Sequence, residues 1–154
     1  MTSTRPPLAT HRFTKCFSSS PHGARLARRM CEHRLDTWGV SHGSDAHGVV
    51  SLVTAELCAN AVRHGHVAGR DFHVLLTADP ATGTVRIEVT DTRGERLPAL
   101  PAASGADGEG GRGLLLVEAL ADRWGCRPRR SGGPGKTVWA ECAAPGLISP
   151  PLTP

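Results

Sequence analysis

The stretch Glu56-Leu57-Cys58-Ala59-Asn60-Ala61-Val62-Arg63-His64-Gly65 decides how the rest of the chain is read. It closes a longer run, from about Ala46 onward, in which Val49, Val50, Val53, Leu57, Ala61 and His64 recur at intervals of three and four. That spacing is one buried face of a helix. At about 100° per residue, Glu56 and Asn60 stack on adjacent turns along the border of that face. A carboxylate and an amide there add little to core packing but are well placed to line a pocket. Alone, the pair would better suit a solvated helix face, so the neighbouring elements must decide.

Upstream, residues 1–12 carry Thr, Pro and Arg without periodicity and read as a flexible N-terminal tail. Phe13 to Phe17 alternate and predict a short edge strand. Ser18-Ser19-Ser20-Pro21 supplies an N-cap and a helix-starting proline. The helix that follows runs to about Trp38, with Ala24, Ala27, Cys31, Leu35 and Trp38 facing inward. Gly39 stops it, and a Gly/Ser loop over 39–45 leads to Asp45 as cap of the central helix.

Downstream, the alternation of Val85, Ile87 and Val89 and the breaker-rich turn at 79–83 predict a hairpin of strands, Asp71 to Ala78 and Thr84 to Asp91. Residues 92–112 lack periodicity and hold Pro98, Pro101 and several glycines, a composition expected of a functional lid or a disordered segment. Leu114 to Trp124 is helical, with Leu115, Val117, Leu120 and Ala121 available to the core. Strands at about 125–130 and 136–142 flank Ser131-Gly132-Gly133-Pro134-Gly135. The domain is expected to span 13–144, leaving 145–154 as a Pro-rich C-terminal tail. The element order is α+β, with helices covering one face of a sheet.

Composition narrows the function classes. At 154 residues, 39% hydrophobic and 21% charged, the chain is long enough for one domain with a real core. Aromatics are 4% with no Tyr, so Val, Leu and Ala must fill that core. Net charge is +4, and the first 35 positions hold seven basic residues against one acidic. No aromatic-interleaved basic stripe accompanies them, so direct nucleic-acid binding is not expected. The five cysteines show no C-x-x-C pair, and the eight histidines no zinc spacing. No run of 18 apolar residues and no signal-peptide core is present, so a reduced cytoplasmic protein away from the membrane is expected.

Three chemistry-bearing features sit on separate elements. Asp91 ends an apolar strand. Gly110-Gly111-Arg112-Gly113-Leu114 opens a helix, where backbone N–H groups and the positive helix end suit phosphate oxygens. Gly135-Lys136-Thr137 brings an ammonium and a hydroxyl into the last strand. Two simpler motif readings fail. Gly108, Gly110 and Gly113 match G-x-G-x-x-G but follow a loop, where a dinucleotide fingerprint needs a strand. Gly135-Lys136-Thr137 resembles the end of a P-loop, yet Arg130 holds the first glycine's place and a strand follows.

In this order the features resemble the GHKL ATPases, the group that includes histidine kinases, gyrase, MutL and heat-shock chaperone ATPases. Glu56-x-x-x-Asn60-Ala61 resembles their N-box, Asp91-x-x-Gly94 a degenerate G1 box, Gly111-x-Gly113 the G2 box, and Thr137 the threonine of the closing strand. Arg93 and Glu95 stand where most of the group carry the glycines of Asp-x-Gly-x-Gly. Asn60-Ala-x-x-His-Gly65 is most similar to small bacterial anti-sigma-factor serine/threonine kinases.

The resemblance implies a Bergerat-type two-layer sandwich, a mixed sheet covered on one face by about three helices, holding ATP. Asn60 would bind Mg²⁺, Arg63 a phosphate, and Asp91 the adenine amino group. Gly111, Gly113 and Leu114 would hold the phosphates, and Thr137 would fix the nucleotide at the sheet. Glu56 would orient or deprotonate the attacking hydroxyl or water, a modest demand because phosphoryl transfer is mostly positioning and charge stabilisation. The expected protein partners are a sigma factor and its antagonist, with a homodimer left open. The alternative is a non-catalytic nucleotide-binding module working through partner contacts. A histidine kinase reading lacks a phosphoacceptor helix pair, and gyrase-like or MutL-like functions would need a further domain.

Overall fold

The computed structural model describes residues 10–65, 70–91, 109–129 and 135–151. Its elements, in chain order, are β1 (His11–Ser18), α1 (Pro21–Thr37), α2 (Asp45–Gly65), β2 (Asp71–Asp79), β3 (Thr84–Thr90), α3 (Glu109–Leu120), β4 (Arg123–Pro128) and β5 (Lys136–Ala143). The expected lid up to residue 108, the turn through Gly94 and most of the 131–135 connection lie outside the described residues. So do positions 1–9 of the expected tail and the side chain of His64.

The strands form one sheet in the order β1-β2-β3-β5-β4. Every neighbouring pair runs antiparallel, so the sheet is not mixed as expected. Two hairpins, β2–β3 and β4–β5, account for two pairings, and the β3–β5 junction is also antiparallel. The β2–β3 turn is held locally. The Ala81 amide donates to Asp79 Oδ1 at 2.9 Å, and Gly83 takes φ +64°, a conformation few residues but glycine tolerate.

α1 forms as its sequence dictates. Ser20 Oγ accepts from the Gly23 amide at 3.0 Å, Pro21 occupies the first turn, and Ala27, Cys31 and Leu35 are buried. α2 is capped differently from expectation. Ser44 Oγ accepts from the His47 amide at 3.2 Å, leaving Asp45 as the first helical residue, where its charge suits the positive helix end.

The core lies between the sheet and the three helices. The inward row of each strand is apolar: Phe13 and Phe17 on β1, Phe72, Val74, Leu76 and Ala78 on β2, Val85, Ile87 and Val89 on β3, and Val138, Ala140 and Cys142 on β5. Against them pack Val50, Val53, Leu57 and Ala61 of α2, the central helix, which touches α1, α3 and the three middle strands. α3 begins earlier than the periodicity suggested and ends before Trp124, which belongs to β4. Leu114 and Val117 are its buried residues, Leu120 and the following Ala121 pack against the core as expected, and Leu115 is exposed.

The other sheet face carries charge. Glu88 accepts from Arg86 Nε at 3.0 Å and from Arg127 Nη2 at 2.5 Å, and the Arg86 guanidinium lies 4.2 Å above the Trp139 ring. Burial alone would push the Glu88 carboxyl up, but these two arginines outweigh it and hold it below its ordinary value. After β5 the chain turns back along α1. The Ile148 amide donates to Trp38 O at 2.9 Å, and Gly39 and Gly146 meet closely enough that a Cβ on Gly39 would stand 2.5 Å from Gly146 O.

Candidate functional site

Three places along the helix–sheet seam hold the residues singled out above. The first is the C-terminal half of α2. Glu56 is partly buried, Arg63 is exposed, and Asn60 is buried at 4% exposure. Asn60 Oδ1 has no hydrogen-bond partner among the described residues. A buried acceptor left unsatisfied costs about 1–3 kcal/mol, so it calls for an explanation outside folding.

The second place is the start of α3. Gly110, Gly111 and Gly113 lie within the helix rather than before it. A Cβ added to Gly113 would stand 2.7 Å from Glu56 Oε2 and 3.6 Å from Arg63 Nη2. The backbone of α3 thus sits against the carboxylate that α2 presents, close enough that a side chain there would displace it, with the Arg63 guanidinium at ordinary contact distance. Leu114, the next residue, is buried and anchors this helix. Amide groups in the first turn have no carbonyl four residues back, and with the positive helix end they suit an anion.

The third place is where β3 ends beside the start of β5. Asp91 continues the inward row of Val85, Ile87 and Val89, which places a carboxylate on the helix-facing side of the sheet. Its backbone amide donates to Lys136 O at 3.0 Å, and its Oδ2 accepts from Lys136 Nζ at 2.9 Å. Both side chains are 4% exposed. Gly135, at φ +139°, allows this approach, since a Cβ there would stand 2.3 Å from Asp91 O.

Thr137 is the residue expected to fix the nucleotide at the sheet. It pairs in register with Thr90, and their hydroxyls hydrogen-bond at 2.7 Å, on the sheet face opposite the core row of Val89 and Val138. Lys136 takes the inward position instead. Strand register alone decides which of two adjacent residues faces inward. Alternation with Val138 and Ala140 was the available signal.

A helix-roofed antiparallel sheet, with a buried amide on the central helix and a glycine-bearing helix start beside it, defines a class of nucleotide-binding ATPase domain. Residues 17–141 match the histidine kinase-like ATPase domain family, and the chain belongs to that family. An uncharacterised protein of Streptomyces coelicolor is 45% identical over 56 residues, covering 36% of this chain and 52% of that protein. The chain thus spans about half the length of that relative. The solved RsbU and RsbW domains of Rv1364c from Mycobacterium tuberculosis align over 91% of this chain and 35% of theirs, with TM-score 0.62 and 18% identity. That likeness is one of fold. A histidine kinase domain from Erythrobacter litoralis aligns over 77% of this chain and 60% of its own, with TM-score 0.45 and 18% identity. Among the described residues no helix is long and apolar enough to cross a membrane.

Proposed function

We propose that this protein is an ATP-dependent serine/threonine kinase of the anti-sigma-factor type, which binds a sigma factor and phosphorylates the antagonist of that factor. The observation that carries the nucleotide part is the buried, unpartnered Asn60 Oδ1 on the helix that also presents Glu56 and Arg63. An amide oxygen is a hard ligand of the kind Mg²⁺ selects, and Mg²⁺ commonly takes few protein ligands with the rest from phosphates and water. Bound there, Mg²⁺ would neutralise phosphate charge.

The remaining roles follow from placement. Asp91 faces the helices with an acceptor for an adenine amino group. Gly111, in the first turn of α3, offers a backbone amide to phosphates, Gly113 and the buried Leu114 bring that turn against α2, and Arg63 adds a guanidinium on the same side. Glu56, against Gly113, accepts the proton of a serine or threonine hydroxyl as its oxygen bonds to the γ-phosphorus. The bond from that phosphorus to the β–γ bridging oxygen breaks, and ADP leaves. The partner classes rest on the similarity of Asn60–Gly65 to the small anti-sigma kinases.

Titration calorimetry of ATP with and without Mg²⁺, on wild type and Asn60→Ala, tests the site. The variant should keep its fold and lose the Mg²⁺-dependent part of binding, and equal curves with Mg²⁺ present would refute the assignment. Incubating co-purified proteins with labelled ATP tests the chemistry. Glu56→Ala should bind nucleotide and transfer nothing. A wild type that binds ATP and labels no co-purified protein supports the non-catalytic module instead.

A further inference from the structure

We infer that the outward face of α1 is a docking surface for an acidic amphipathic helix of a partner protein, its carboxylates received by Arg25 and Arg29 and its apolar row by Leu26 and Met30. This surface is separate from the nucleotide reading above and does not depend on it. His22, Arg25, Leu26, Arg29 and His33 recur at intervals of three and four, and all are exposed. At about 100° per residue they lie opposite the buried row of Gly23, Ala27, Cys31 and Leu35. Leu26 is 37% exposed, and Met30, one turn on, is half-buried beside it.

The fold neither uses nor neutralises these two arginines. Arg28, Arg86, Arg123 and Arg127 each reach a carboxylate, at 2.9, 3.0, 3.6 and 2.5 Å. Arg25 and Arg29 reach none among the described residues. They stand four positions apart on one helix, where like charges repel and mildly destabilise it. The acidic residues nearest this face are committed elsewhere. Glu32 accepts from Arg28 at 2.9 Å and from Ser51 at 2.6 Å, and Asp36 accepts from the His42 amide at 3.1 Å. An uncompensated positive row beside an exposed leucine is matched by a partner of opposite charge with apolar surface of its own.

Side-chain chemistry narrows that partner. A guanidinium is a planar fork that takes a carboxylate through two parallel hydrogen bonds. Arg25 and Arg29 are one turn apart, as are Leu26 and Met30. A helix with Glu or Asp recurring every three or four residues, and an apolar row beside them, meets both lines at once. A phosphate backbone would suit the arginines but leave Leu26 unmatched, so a protein fits this face better than a nucleic acid. The docked partner also leaves the start of α3 open. Ser51, which bonds Glu32 of α1, and Glu56, which meets α3 at Gly113, lie about 140° apart around α2.

Fluorescence anisotropy with a labelled synthetic helical peptide, Glu on one row and Leu on the adjacent one, is the test. Wild type should bind it with a Kd below about 1 mM at about 0.1 M salt, and more weakly as salt rises. Arg25→Glu combined with Arg29→Glu should weaken binding at least about tenfold, and Leu26→Ser at least about threefold, with melting curves unchanged because all three positions are exposed. Should the double variant fail to fold, Arg29→Ala and Leu26→Ser decide by the same reading. A peptide of the same composition in shuffled order and a DNA duplex serve as comparisons, and both should bind more weakly. A wild type that does not bind the amphipathic peptide overturns the inference. So does a shuffled peptide or a duplex that binds as tightly, and so do charge and leucine variants that bind like wild type.

Discussion

The Cα of Gly113 lies so close to Glu56 that a methyl group on it would stand 2.7 Å from Oε2. The atom it would displace is the far end of a flexible side chain, so the protein can yield there without unfolding. Alanine in a helix interior is favoured over glycine by about 0.5–1 kcal/mol. Gly113→Ala should therefore keep or raise thermal stability while moving the Glu56 carboxylate. Phosphoryl transfer should fall about tenfold or more. A melting curve and a transfer assay on the same preparation check this, and a variant with unaltered transfer would show that the position of Glu56 is immaterial.

Asn60 should show the same opposition of stability and function. Its Oδ1 is buried without a partner among the described residues. Replacing such a group with an apolar one of similar shape is near neutral or stabilising. Asn60→Leu is expected to unfold in urea at a midpoint equal to or above wild type, within about 1 kcal/mol, while Mg²⁺-dependent nucleotide binding is lost. A marked loss of stability would mean that the amide serves the fold.

Gly135 should behave in the opposite way. At φ +139° and with Asp91 O 2.3 Å from a would-be Cβ, it has backbone rather than a flexible tip in its path. Gly135→Ala should destabilise the protein by about 2 kcal/mol or more and disturb the Asp91–Lys136 pair. Chemical denaturation of the variant gives the value directly, and a change below about 0.5 kcal/mol would contradict it.

Buried thiols make stability fall at alkaline pH. Burial, with Glu32 adding to it, pushes Cys31 up from 9.0 to about 12, and burial, with Cys31 adding, pushes Cys58 well above 9.0. Burial, with Asp122 and Glu141, pushes Cys142 up to about 11. The folded pKa of each exceeds the unfolded one, so its contribution is whole below about pH 9 and is lost as pH rises through the folded value. Between those limits each thiol costs about 1.4 kcal/mol per pH unit. Urea midpoints under reducing conditions should drop steadily above pH 9, and Cys31→Ala should flatten that slope. A flat profile in wild type would refute it.

Wherever one element's own periodicity was sufficient, the sequence was sufficient too. The three-and-four spacing from Val49 to Ala61 predicted α2 and its inward face, Ser20-Pro21 predicted the start of α1, and Val85, Ile87 and Val89 predicted the inward row of β3. The motif order from Glu56 to Thr137 also pointed to the family that residues 17–141 match. These are local signals, carried by side chains a few positions apart.

Other features depended on neighbours far along the chain. Whether Leu114 or Leu115 faces inward depends on where α3 begins and on the helix it packs against, and a run of three leucines gives no phase of its own. Capping by Ser44 rather than Asp45 depended on how the loop enters α2. The pairing of Lys136 with Asp91, and of Thr137 with Thr90, was decided by the register of β5 against β3, two strands 45 residues apart in the chain. Adjacent residues on a strand point to opposite faces, so one step of register exchanges a hydroxyl for an ammonium on the helix-facing side of the sheet. Sequence determined which residues were available, and only strand pairing decided which of them face the helices.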